Sequence, residues 1–122
     1  LAQAANESAW GTSRFAVEGN NIFGQWCFEQ GCGLVPLQRK GNASYEVRKF
    51  DSIGASVSAY IKNINSQYSY EELRERRARM RSRNEPLNAF DLAAGLAAYS
   101  ERGEDYVDEI RSLIVQNELD RL

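Results

Sequence analysis

The chain has 122 residues, 43% hydrophobic and 26% charged, with a formal charge of −2, the composition of one globular domain around one core. No stretch nears the roughly 18 consecutive apolar residues of a membrane span, and Leu1–Trp10 has neither the basic start nor the long apolar run of a signal peptide, so any localisation signal is expected outside this stretch. Histidine is absent and cysteine occurs twice, which argues against serine or cysteine triads and against a structural zinc site; no metal and no cofactor are expected.

In chain order, Leu1, Ala4, Ala5, Ser8 and Ala9 recur at helical spacing and Gly11 is a stop signal, which predicts a helix ending near Trp10. The periodic pattern opens without a capping residue, so further helix is expected upstream of Leu1. From Phe15 to Gly33, the glycines Gly19, Gly24, Gly31 and Gly33, with Asn20 and Asn21, break both periodicities and predict loops carrying Phe23, Trp26 and Phe28. Cys27 and Cys32 are spaced so that a local disulfide is allowed, as in an oxidising periplasm or exterior; two buried free thiols are the alternative.

Two short extended runs, Leu34–Leu37 and Tyr45–Phe50, flank a turn at Lys40, Gly41 and Asn42 and predict a small hairpin. Asp51 reads as the N-cap region of the next helix, whose apolar stripe is Ile53, Val57, Tyr60, Ile61 and Ile64. Ser69 and Glu72 form a capping-box pattern for a helix running to Arg83. Its six arginines and three glutamates between Glu71 and Arg83 read as a solvated face laced by i, i+4 pairs, not a nucleic-acid stripe, since no aromatic is interleaved. After Pro86, Phe90–Tyr99 is expected as a nearly buried helix, and a last helix carries Tyr106, Ile110, Leu113, Ile114 and Asn117 in register.

The segment with chemistry is Ala2–Ser13, where Glu7 stands in apolar company just before a helix ends. Partial desolvation and the negative end of the helix dipole both disfavour an ionised carboxyl there, which suits a group that must hold a proton. A glycosidase needs such an acid to protonate the leaving oxygen. An exposed helix glutamate is the bland alternative, and spacing does not separate the two.

Three ordered motifs then carry a resemblance: Ala-Gln-Ala-Ala-Asn-Glu-Ser-Ala-Trp-Gly-Thr-Ser at Ala2–Ser13, Gly-Asn-Asn-Ile-Phe-Gly at Gly19–Gly24, and Tyr-Ser-Glu-Arg-Gly-Glu-Asp-Tyr at Tyr99–Tyr106. Together they resemble the glucosaminidases of glycoside hydrolase family 73, and within them the Bax-type proteins. The resemblance implies a mainly α (α+β) fold, a lysozyme-like helical domain with a small β-hairpin lobe. It implies an endo-β-N-acetylglucosaminidase acting on the β-1,4-linked glycan strands of peptidoglycan, in the periplasm or outside the cell. Glu7 matches the family's catalytic acid, and Tyr99 matches the late-motif tyrosine whose hydroxyl orients substrate or a water. Phe23, Trp26, Asn21 and Tyr106 become candidate substrate-binding residues, the aromatic ones because the apolar face of a pyranose packs on their rings; plain core packing is the alternative for Phe23 and Trp26, and a core ring with its hydroxyl on a backbone group is the alternative for Tyr99.

The stretch Gln38–Tyr45 lacks the second glutamate that some relatives carry there. Glu46 is the nearest candidate for a base or nucleophile, although strand alternation can turn it to solvent. The other route uses the substrate's own N-acetyl oxygen and needs no second carboxylate. Muramidase specificity and a non-catalytic peptidoglycan- or chitin-binding module on the same fold are competing readings. A monomer without nucleic-acid partners is expected.

Overall fold

The computed structural model describes residues 1–122. In chain order the helices are α1 (Ala2–Ser8), α2 (Arg14–Gly19), α3 (Ile53–Ser66), α4 (Glu71–Ser82), α5 (Ala89–Leu92) and α6 (Glu104–Gln116); the strands are β1 (Trp26–Cys27), β2 (Gly33–Leu34) and β3 (Glu46–Arg48). The expected mainly α, α+β class is what the chain adopts. No helix is long and apolar enough to cross a membrane. The backbone groups into two compact units, residues 3–61 and residues 1–2 with 62–122.

In the first unit, α1 stops at Ser8 because the next two residues, Ala9 and Trp10, take left-handed φ values of 49° and 57°, followed by Gly11 at 81°. Ser8 secures this end: its hydroxyl donates to the Ala4 carbonyl at 2.5 Å and accepts the Gly11 amide at 2.8 Å. Two consecutive non-glycine residues in that region cost about 1–3 kcal/mol each, and such strain is retained where the surroundings enforce it.

The loop expected from Phe15 onward begins instead with helix α2. Ser13 caps it, accepting the Ala16 amide at 3.2 Å, and Asn20 closes it at φ 54°. Six residues are too few for a periodicity to register, and the serine cap was the only local signal.

The hairpin expectation is half realised. β2 and β3 pair antiparallel, Leu34 opposite Val47, but β3 also pairs with β1, Trp26 opposite Val47, giving the order β1-β3-β2. β1 lies in the stretch expected to be loop, and two residues are below what alternation can reveal. β2 stops at Leu34, two residues before Pro36, which has no amide to give a ladder. Gly33 is required by contact, since a Cβ there would stand 2.0 Å from the Val47 carbonyl oxygen.

α3 forms where its stripe predicts, capped by Ser52 rather than Asp51: the Ser52 hydroxyl accepts the Ala55 amide at 3.0 Å. Of the stripe, Ile64 is buried while Ile53 and Ile61 stay largely exposed.

The core of the second unit is Ile64, Tyr70, Leu73, Met80, Ala93, Leu96, Tyr106, Val107, Ile110 and Ile114. The Ser69–Glu72 capping box does not form. Ser69 lies inside a 3₁₀ turn at Tyr68–Tyr70, and α4 begins at Glu71 with Tyr70 at its cap and no side-chain cap bond. Glu71 and Glu72 in the first turn and Arg79 and Arg81 in the last complement the helix dipole.

The i, i+4 pairing expected along the arginine run is seen between Glu72 and Arg76. Arg74 donates to the Ile64 and Gln67 carbonyls at 2.9 and 2.8 Å, and Arg76 bridges Glu72 and Asp91, both at 2.9 Å. The helix expected over Phe90–Tyr99 divides into α5 and a 3₁₀ segment at Ala93–Tyr99. Three residues per turn put Ala93, Leu96 and Tyr99 on one edge. Gly95 lets this segment approach α4, where a Cβ would meet Leu73 Cα at 2.6 Å. Phe90 stays outside, half exposed, under the Arg111 guanidinium at 4.5 Å.

Candidate active site

Glu7 occupies the last turn of α1, half-buried, one residue before the serine that ties off the helix. Beside it, in the same unit, passes Gly24 at φ +68°: a Cβ on Gly24 would lie 3.1 Å from Glu7 Oε2. A side chain at 24 is therefore disfavoured twice, by backbone conformation and by the carboxylate. The second motif thus runs directly past Glu7 of the first, a contact that the reading of Gly24 as a loop signal did not anticipate.

Asn21, expected to touch substrate, is 1% exposed and organises this loop instead. Its Nδ2 donates to the Gln25 and Arg48 carbonyls, both at 2.9 Å, while Oδ1 accepts the Phe23 and Gln25 amides at 3.3 and 3.2 Å. Two donors and two lone pairs are then all in use, which leaves the amide nothing for a sugar. Phe23 is likewise a core residue, buried and stacked face to face on Tyr60 with ring centroids 3.9 Å apart. Tyr60 also donates its hydroxyl to Gln3 Oε1 and so fixes α1 to α3 within this unit.

Trp26 is different. It is 52% exposed and stacked on Tyr45, centroids 3.9 Å apart and planes 12° from parallel. Tyr45 was not singled out from sequence, because a contact between residues 19 positions apart has no local signature.

Glu46 does not point to solvent. It is 5% exposed, and its two oxygens accept the Gly31 amide at 3.0 Å and the Gly33 amide at 2.9 Å. The Gly31 bond, then the Gly33 bond, with the Arg39 charge adding, hold the carboxyl below its ordinary range against the opposing effect of burial. Glu46 therefore clamps the loop that the Cys27–Cys32 disulfide closes, and Cys27 is its partner across the β1–β3 ladder. The free-thiol alternative is excluded.

In the second unit, Tyr99 ends the 3₁₀ segment with its ring parallel to Tyr106, centroids 5.7 Å apart and planes 7° from parallel, and tilted against Tyr70 at 6.0 Å. Tyr106, expected to bind substrate, is 2% exposed, and its ring backs that of Tyr99. Burial raises the Tyr70 hydroxyl above the ordinary tyrosine range, partly countered by its bond with Asn63. No group of three or more histidine, cysteine, aspartate or glutamate side chains is arranged to hold a metal ion.

Comparison with known proteins agrees with the motifs. The family profile described as "Glucosaminidase: Mannosyl-glycoprotein endo-beta-N-acetylglucosaminidase" matches residues 1–119. A curated relative, "Protein bax" of Escherichia coli (strain K12), is 34% identical over 115 residues, covering 94% of this chain; the chain spans 40% of that relative's length. No solved structure gives a significant match. With a family profile covering nearly every residue and a relative 34% identical over 94% of the chain, the chain belongs to the glucosaminidase family of glycosidases.

Proposed function

We propose that this chain hydrolyses the β-1,4 glycosidic bonds of peptidoglycan glycan strands as an endo-β-N-acetylglucosaminidase, with Glu7 as general acid. The observation that carries the reading is the placement of Glu7 at the strained end of α1 with Gly24 against its carboxylate, in a chain of the glucosaminidase family. Strain held beside an acid is a device of pre-organisation.

In this reading the Glu7 carboxyl gives its proton to the glycosidic oxygen as the bond to the anomeric carbon breaks. Glu46, with both oxygens on backbone amides, is a positioning residue. Its engagement favours the substrate-assisted route, in which the N-acetyl carbonyl oxygen forms the new bond to the anomeric carbon. Water then displaces that oxygen, its proton passing to the Glu7 carboxylate, and the acid is restored. Tyr99, braced by Tyr106, orients the substrate or that water through its hydroxyl. The disulfide supports a setting outside the cytoplasm, in the periplasm or beyond.

The test is Glu7→Gln. We expect loss of peptidoglycan clearing in a zymogram with an unchanged far-ultraviolet spectrum; retained clearing would remove Glu7 from the role of acid. Mass spectrometry of the released fragments should find N-acetylglucosamine at the new reducing end. N-acetylmuramic acid there would make the activity a muramidase.

A further inference from the structure

The contact between Glu7 and Gly24 joins two stretches far apart in the sequence, α1 and the turn after α2, and a third element ties them together. One side chain of α3 reaches both. The ring of Tyr60 lies flat on Phe23, centroids 3.9 Å apart and planes 9° from parallel, and Phe23 is the residue before Gly24. The hydroxyl of the same tyrosine donates to Gln3 Oε1. Gln3 precedes Glu7 by four residues, which puts the two on one face of α1, one turn apart. All five residues belong to the first unit.

The arrangement is more than a filled core. Gln3 is a polar side chain only 6% exposed, and a buried amide is costly unless it is bonded. An apolar residue at position 3 facing phenylalanine at position 60 would fill the same space without that cost. The polar pair adds direction, because a hydrogen bond fixes a distance and an angle between α1 and α3 where apolar packing has no such preference. One turn earlier on the same face of α3, Ser56 is wholly buried and holds the turn on both sides of Gly24: its hydroxyl accepts the Ile22 amide and its carbonyl accepts Gln25 Nε2, both at 3.5 Å. The fourteen residues of α3 thus act as a splint, and Tyr60 is where the splint meets both α1 and the turn.

We infer that Tyr60 is a positioning residue for the acid: its ring on Phe23 and its hydroxyl on Gln3 together set how close the Glu7 carboxyl stands to Gly24 and which way it faces the bond to be cleaved. This rests on the role of Glu7 proposed above. The tyrosine acts through the geometry of Glu7 and not by touching substrate, and a displacement of about 1 Å at a reacting group costs on the order of a hundredfold in rate.

The experiment compares kcat and KM on soluble glycan strands of peptidoglycan for the wild type, Tyr60→Phe, Gln3→Met and the double variant, at a temperature where circular dichroism finds each fully folded. Tyr60→Phe keeps the ring on Phe23 and removes the hydroxyl. Gln3→Met keeps the volume and removes the acceptor, so the bond is cut from its other end should one variant be too unstable to assay. The expected result is kcat lower by about tenfold in each single variant, KM within about twofold of wild type, and a double variant no slower than the slower single one, because both changes cut the same link. A tyrosine that only fills the core would lower the melting temperature and leave kcat of the folded protein at the wild-type value. That outcome in Tyr60→Phe overturns the inference, as does a double variant in which the two losses multiply. If Glu7→Gln cleaves like wild type, the proposed function falls and the role of Tyr60 with it. An inactive Glu7→Gln beside a Tyr60→Phe of wild-type kcat removes the positioning role alone.

Discussion

Gly24 packs against the carboxylate of Glu7 so closely that one added methyl group would stand 3.1 Å from Oε2, at a backbone φ of +68°. The first and second sequence motifs meet at this contact, and it makes the glycine a steric gauge for the position of the acid.

Gly24→Ala should therefore cost about 1 kcal/mol in stability from the left-handed backbone and considerably more in turnover, with kcat falling at least about tenfold as the carboxylate is displaced. Gly103→Ala is the control. Gly103 also has positive φ, +56°, but no atom lies within 4 Å of its Cβ position, so it should lose similar stability and keep kcat. Equal kcat in the two variants would mean that Gly24 does not set the carboxylate.

For Glu46 the sign of the pH dependence follows from its lowered folded-state pKa. Its contribution is present above the unfolded carboxyl value, near 4.5, and is lost as pH falls through the lower folded value. Thermal unfolding of wild type and Glu46→Gln should differ at pH 7, with the variant less stable, and converge as the pH falls below the lowered folded value. Because the carboxylate serves two amides, kcat of the variant should remain within about fivefold of wild type. A loss of about a thousandfold without a change in melting temperature would make Glu46 the second catalytic carboxylate instead.

Tyr99→Phe keeps the ring against Tyr106 and Tyr70 and removes only the hydroxyl. Melting temperature should stay within a few degrees, while kcat drops about a hundredfold, the usual effect of deleting one aligned polar group at a reacting centre. Wild-type kcat would reduce Tyr99 to a packing residue.

Gly95→Ala places a Cβ 2.6 Å from the Leu73 backbone, where no flexible side-chain end can yield. A destabilisation of about 1–3 kcal/mol is expected from overpacking, read as a lower denaturation midpoint. An unchanged midpoint would show that the 3₁₀ segment moves away from α4 without cost.

The elements legible in the sequence were those long enough to repeat a pattern. α3, α4 and α6 announced themselves through three or more turns of amphipathic or charged periodicity, and the three motifs identified the family. α2 and β1 were missed because six and two residues cannot complete a period, and the helix expected across Phe90–Tyr99 changed hydrogen-bonding pattern at Ala93, where a glycine admits α4.

The candidate site divides the same way. Sequence determined which side chains are available: one glutamate at a helix end, aromatic residues in a glycine-rich loop, one acid beyond the turn. Only the tertiary structure decided their tasks, because burial and pairing across distant positions have no local signature. Asn21 spends its hydrogen-bonding atoms on its own loop and on β3, Phe23 and Tyr106 disappear into cores, Glu46 closes on two amides, and Trp26, from the same loop as Phe23, stays open to solvent on Tyr45.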